Sequence, residues 1–224
     1  MLKLIWQRGI AIAVTGTAVA FTADASQAAT LFQAELDGLQ VVSPNFPSGV
    51  PTTASGLATF TLSADQTQLE YTIQLDGLNL KETDRTAAED VTKIHIHTGA
   101  VGVNGPHVLN IFGAPSEDDG DLFVDYDNEF ISGIWDDSDA IDPLTGNLFD
   151  PTVGSNTKQL SSFVDELLAG ELYLQVHTVA FDTPLAPGEL RGQISATIPE
   201  PSAVLGVVLV TGGLLASRKS RPES

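Results

Sequence analysis

Between residues 56 and 75 apolar and polar residues alternate with a period of two, and no other feature restricts the fold of this chain so tightly. Ala58, Phe60 and Leu62 share one face of such a strand, and Leu57, Thr59 and Thr61 share the other. Asp65-Gln66-Thr67 turns the chain, and Leu69, Tyr71, Ile73 and Leu75 continue the apolar row on the return, which makes a β-hairpin. Further short runs over 31–36, 91–98, 108–112, 122–125, 172–178 and 190–198 read as strands. They are separated by turn-rich segments such as Ser43-Pro44-Asn45-Phe46-Pro47-Ser48-Gly49. Strands this short, punctuated by Gly, Pro and Asp, predict an all-β domain, either an antiparallel β-sandwich or a Greek-key barrel. One helix is expected over 158–169, where Leu160, Phe163, Val164, Leu167 and Leu168 fall at helical spacing before Gly170. The acidic stretch over 117–150 reads as a variable loop region.

The two ends have a different character. Lys3 and Arg8 precede an uncharged apolar run from Gly9 to Phe21, and small residues follow at Ala23, Ala25, Ser26 and Ala28. That order is the one a signal peptidase recognises, so residues 1–28 read as a signal peptide cut after Ala28. The alternative, an uncleaved anchor, needs ~20 apolar residues. At the far end Pro199-Glu200-Pro201 leads into an apolar segment from Ala203 to Ala216 and then Arg218, Lys219 and Arg221. This tripartite end, over 199–221, resembles the PEP-CTERM sorting signal of bacteria. The resemblance implies recognition of Pro199, Glu200 and Pro201 by an exosortase-type membrane protease and transient anchoring in the membrane through the apolar segment. A lasting tether is the other reading of the same segment.

Residues 30–198 remain, enough for one domain and too few for two ordinary ones. Of the 29 acids and 10 bases in the chain, three and five fall in the flanking segments, which leaves 26 acids against 5 bases, a net charge of about −21. Such a domain repels nucleic acid and anionic lipid. There is no cysteine, so thiol nucleophiles, iron–sulfur clusters and thiolate zinc sites are excluded and stability rests on the core. No nucleophile elbow, phosphate loop, dinucleotide fingerprint or His-Glu-x-x-His occurs, which favours a non-catalytic protein.

Three segments carry a second resemblance. They are Ala54-Ser55-Gly56-Leu57-Ala58-Thr59-Phe60, the run from Ile94-His95-Ile96-His97-Thr98-Gly99 to Pro106, and Leu172-Tyr173-Leu174-Gln175-Val176-His177-Thr178 with Gly188-Glu189-Leu190-Arg191-Gly192-Gln193-Ile194. In this order they resemble the CHRD domain, named after an animal extracellular antagonist of growth factors and found in many secreted bacterial proteins. The likeness covers nearly all of 30–198. The likeness leaves the activity open; the sorting tail, the charge and the absent catalytic motifs point to an exported protein of the cell surface, outer envelope or extracellular matrix, a binding or matrix module beside extracellular polysaccharide or an envelope protein.

Within those segments the strand period places Ile94 and Ile96 on one face and His95 and His97 on the other. Likewise Leu172, Leu174 and Val176 oppose Tyr173 and His177. With the apolar rows inward, the histidines face outward. Residues i and i+2 lie ~6.6 Å apart on a strand, so His95 and His97 can share an ion with a third imidazole from a neighbouring strand. His95, His97 and His177 are therefore candidate ligands for copper or zinc. The His-x-His arrangement before a glycine-rich loop also looks like the copper-binding strand of copper/zinc superoxide dismutase, although the cysteines and most histidines of that family are missing. The shared endings His97-Thr98 and His177-Thr178 suggest that both strands finish at one edge of the sheet. His107 either adds a fourth ligand or is exposed. The alternative for all of them is scaffold, hydrogen-bonding backbone and carboxylate groups around the glycine loop.

Asp118, Asp119 and Asp121, with Asp136, Asp137 and Asp139, offer hard oxygen ligands of the kind calcium takes, although neither run has EF-hand spacing. A calcium-stabilised matrix protein is thus a further reading, and a solvated acidic loop the plainer one. Arg191, with Glu189 nearby, is expected to be structural, bridging to a buried or half-buried carboxylate.

Overall fold

In a computed structural model, residues 28–183 and 187–197 are described. The described residues form ten strands in two antiparallel sheets. They are β1 (Thr30–Leu36), β2 (Ser55–Leu62), β3 (Gln68–Asp76), β4 (Val91–Thr98), β5 (His107–Gly113), β6 (Phe123–Asp125), β7 (Phe130–Asp136), β8 (Leu172–Thr178), β9 (Leu190–Gln193) and β10 (Ser195–Ala196). The first sheet has the order β10-β1-β2-β3-β7-β6 and the second β5-β4-β8-β9. The expected hairpin is β2–β3, with Leu62 opposite Leu69 and Phe60 opposite Tyr71.

The alternating rows decide which faces meet. Phe32, Phe60, Leu62, Leu69 and Ile73 from the first sheet and Ile94, Ile96, Leu172, Leu174 and Val176 from the second are buried in one core. Burying each such side chain contributes ~1.5–3 kcal/mol. The sheets are also joined along one side, where the backbones of Asp37 and Arg191 exchange hydrogen bonds of 3.1 and 2.9 Å. The architecture is a β-sandwich. Its second sheet is covered on both faces, since every residue of β8 is buried.

Three expectations are corrected. The acidic stretch is no mere loop: besides β6, at the strand expected over 122–125, it contains β7, which pairs with β3 along its whole length. Ile131 and Trp135 of β7 are fully buried, with the Trp135 indole N–H donating to the Lys158 carbonyl at 2.9 Å. The helix over 158–169 is shorter than its periodicity implies. A 3-10 turn (Leu160–Ser162) precedes α1 (Val164–Ala169), because Phe163 between them leaves helical geometry at φ −130°. Gly170 closes α1 in the left-handed region at φ 72°, as a C-terminal glycine can. The last strand breaks at Ile194, so that β9 stays in the second sheet and β10 joins the first.

Ala28, the expected cleavage residue, is exposed two residues before β1. The rest of the expected signal peptide and the sorting segment, with Pro199, Glu200 and Pro201, lie outside the described residues. Among the described residues no helix is long and apolar enough to cross a membrane.

Candidate metal centre

β4 lies between β5 and β8, and its Ile94 and Ile96 are fully buried in the core. Alternation then turns His95 and His97 to the opposite face. In the antiparallel ladder with β8, Lys93 stands opposite His177, His95 opposite Gln175 and His97 opposite Tyr173. His177 is thus a diagonal neighbour of His95, within reach of a large side chain. On the other side His107 of β5 stands opposite His97, and bulges flank His95 in that ladder. The antiparallel register corrects one expectation: the two His-Thr endings lie at opposite ends of the β4–β8 pair, and the histidines meet across the diagonal instead.

Four imidazoles gather here. The His95 ring centroid is 5.7 Å from that of His97, 5.5 Å from His177 and 4.6 Å from His107. One ring nitrogen each from His95, His97 and His177 lie within 4.8 Å of one another. Nitrogens bound to one ion at ~2.0–2.1 Å are at most ~4.2 Å apart, so the trio fits a single ion after contracting by about an ångström. Although they face away from the core, His95 and His177 are buried, at 4 % and 8 % exposed. Ala114, Pro115 and Ser155 from the loops beyond β5 and Lys93 from β4 complete a cleft of about 330 Å³ around the rings.

The outer nitrogens are tied down. His95 Nε2 lies 2.9 Å from the Ala114 carbonyl oxygen and His97 Nδ1 lies 3.0 Å from that of Gly105. Carbonyl oxygens only accept, so those nitrogens carry the protons and the other nitrogen of each ring keeps its lone pair. His177 Nδ1 lies 3.6 Å from Asp182 Oδ1, which also holds Lys93 Nζ at 2.8 Å. His97 Nε2, His107 Nε2 and both nitrogens of His177 are buried with no hydrogen-bond partner. Burial is the leading cause that holds His95, His97 and His177 down to about 3, and it lowers His107 too. Neutral, oriented imidazoles with free lone pairs are what a borderline transition ion requires, and an outer carbonyl or carboxylate behind each ring is the usual support for such a ligand.

Behind His97 stands a stack. The Tyr173 ring lies parallel to it, with centroids 5.0 Å apart and planes at 11°, and the Arg191 guanidinium carbon is 3.5 Å from the Tyr173 centroid. Arg191 is 1 % exposed and donates to Asn104 Oδ1 and to the Ala100 and Val103 carbonyls at 3.0–3.2 Å. The carboxylate partner expected for it is replaced by these oxygens of the glycine-rich loop. Glu189 accepts instead from the hydroxyls of Thr52 and Thr178, both at 2.6 Å. The loop that Arg191 holds supplies Gly105, whose carbonyl orients His97. A Cβ on Gly105 would come 1.9 Å from the Thr98 carbonyl oxygen, so glycine is required there.

The six candidate calcium ligands sit at the far sheet. Asp118 accepts from the Tyr71 hydroxyl at 2.5 Å, Asp121 from the Ile134 amide at 2.9 Å and Asp139 from the Asp136 amide at 2.7 Å. Asp119, Asp136 and Asp137 likewise accept from the amides of Asp121, Ser138 and Ser161. Burial, added to repulsion among these acids, raises Asp118 to about 7 and Asp139 to about 8. Among the described residues, the histidine trio is the group of acidic or imidazole side chains whose ligand atoms converge within 4.8 Å; the six aspartates do not. Sequence reasoning missed Asp182, Ala114 and Ser155, which lie in irregular segments where no periodicity signals their place.

Compared with known proteins, residues 32–194 match the family model of the CHRD domain. No curated protein and no solved structure matches the chain.

Proposed function

The chain belongs to the CHRD family, and from that premise we propose that it is an exported, non-catalytic binding module whose working centre is the histidine cluster, holding a copper or zinc ion. The observation that carries this reading is the convergence of His95, His97 and His177 within 4.8 Å. Hydrogen bonds to backbone oxygens orient His95 and His97, and His97 Nε2 and both His177 nitrogens are buried without a partner. A buried polar atom without a partner costs ~1–3 kcal/mol, and a bound ion removes that cost at several atoms together. Imidazole without thiolate suits copper or zinc better than calcium. Export, signal peptidase and exosortase-type processing, and a place beside extracellular polysaccharide or an envelope protein rest on the two terminal segments and on the acidic charge.

Elemental analysis of the secreted protein after exposure to copper or zinc and gel filtration tests the centre. One equivalent of metal is expected for the parent and a small fraction of that for His97→Ala and His177→Ala. A folded parent that retains no metal would refute the reading.

A further inference from the structure

We propose that His107 is the fourth ligand of this centre, closing it with four imidazoles around a divalent late first-row ion so that no coordination position is left for an outside ligand. The inference rests on the metal reading above and goes further, because it separates a holding site from a reactive one: structural metal sites are closed, and catalytic ones keep a position open.

Register brings His107 there. It stands directly opposite His97 in the β4–β5 ladder, and its ring centroid is 4.6 Å from His95 and 5.7 Å from His97. Its Nε2 is buried without a hydrogen-bond partner, and Ser155 lines the same cleft beside it. His107 thus shares with His97 and His177 a buried nitrogen that no protein group satisfies. A histidine kept only as scaffold has no reason to bury a bare nitrogen beside three others. Its nitrogen is not one of the trio that converges within 4.8 Å, so the fourth bond requires His107 to move in as the site contracts on the ion. Four neutral ligands leave the ion's charge intact, and Asp182 behind His177 together with the acidic surplus of the domain offsets it.

Cobalt(II) reports coordination number through its visible absorption, so it is the probe, added to the secreted protein freed of metal by chelator. The parent is expected to bind one equivalent with the intense spectrum of a tetrahedral ion, unchanged by azide. His107→Ala is expected to bind one equivalent at least ten-fold more weakly, with a spectrum that shifts when azide is added. A parent spectrum that responds to azide, or a His107→Ala protein matching the parent in affinity and spectrum, would overturn the fourth ligand while leaving the three-histidine site. No cobalt bound by the parent, or equal binding by His97→Ala, would overturn the metal reading beneath it. The azide experiment on the parent needs no variant, so the outcome does not depend on whether His107→Ala folds.

Discussion

At the scale of single residues, two sets of buried titratable groups pull stability in opposite directions with pH. His95, His97 and His177 fall to about 3 in the fold, from an unfolded value near 6.5, because burial opposes their charge. Their contribution is complete above pH 6.5 and is lost as pH falls towards 3. Asp118 and Asp139 rise to about 7 and about 8 from 3.8, again chiefly by burial. For an acid raised in this way the contribution is complete below its unfolded value and is lost as pH rises through 7 and 8. Three histidines outweigh two aspartates up to pH 6.5, and above it only the aspartates titrate. The metal-free protein is therefore expected to be most stable near pH 6.5 and to lose about 1–2 kcal/mol by pH 8, since each tenfold change in proton affinity is worth ~1.4 kcal/mol before relaxation by water. Denaturant titrations between pH 5 and 9 in chelator measure this. Asp118→Asn should flatten the alkaline limb and steepen the acidic one, while its amide still accepts from Tyr71; an unchanged alkaline limb in that variant would disprove the assignment.

At the scale of elements, β7 shows what a sequence period can hide. Its inward row is Ile131, Gly133 and Trp135, and the glycine breaks the apolar alternation because Tyr71, its partner on β3, fills the space. A Cβ on Gly133 would meet the Tyr71 hydroxyl oxygen at 2.2 Å, and Tyr71 is 1 % exposed and bonded to Asp118, so it cannot swing aside. Gly133→Ala should cost ~1–3 kcal/mol, the range of an overpacked core. Gly120→Ala, in the same acidic stretch with nothing within 4 Å of the added carbon, should cost almost nothing. Thermal melts of the two variants decide it, and equal midpoints would return the stretch to the status of a loop. β2, β3, β4 and β8 were legible because each carries an unbroken apolar row on one face. The same period placed His95 beside His97, and His177 on the matching face of its own strand. Which strands are neighbours, and in what register, is a tertiary fact; hence the reversal of the His-Thr endings. The lid residues Ala114 and Ser155 and the anchor Asp182 come from loops, where no pattern points to them.

At the scale of the whole molecule, the charge is one-sided to a degree that the fold does not repair. All five bases of the domain are engaged: Lys81 with Asp90, Arg85 with Glu117, Lys93 with Asp182, Lys158 with the Pro151 and Val153 carbonyls, and Arg191 inside the glycine loop. Most of the 26 acids therefore repel one another across the surface with no cation to offset them. Such repulsion destabilises the compact state and is screened over ~10 Å at 0.1 M salt. The melting midpoint of the protein should thus rise by a few degrees between 10 mM and 300 mM sodium chloride, since 1 kcal/mol corresponds to ~2–4 °C in a chain of this size. Calcium separates screening from a site. The candidate carboxylates are each occupied by an amide or hydroxyl donor, and no three of them converge as the histidines do. At matched ionic strength calcium and magnesium are accordingly expected to give the same midpoint. A midpoint that climbs with the logarithm of calcium concentration alone, as ligand linkage requires, would instead establish a calcium site at the Asp118 to Asp139 cluster and make the acidic region a second binding centre of the domain.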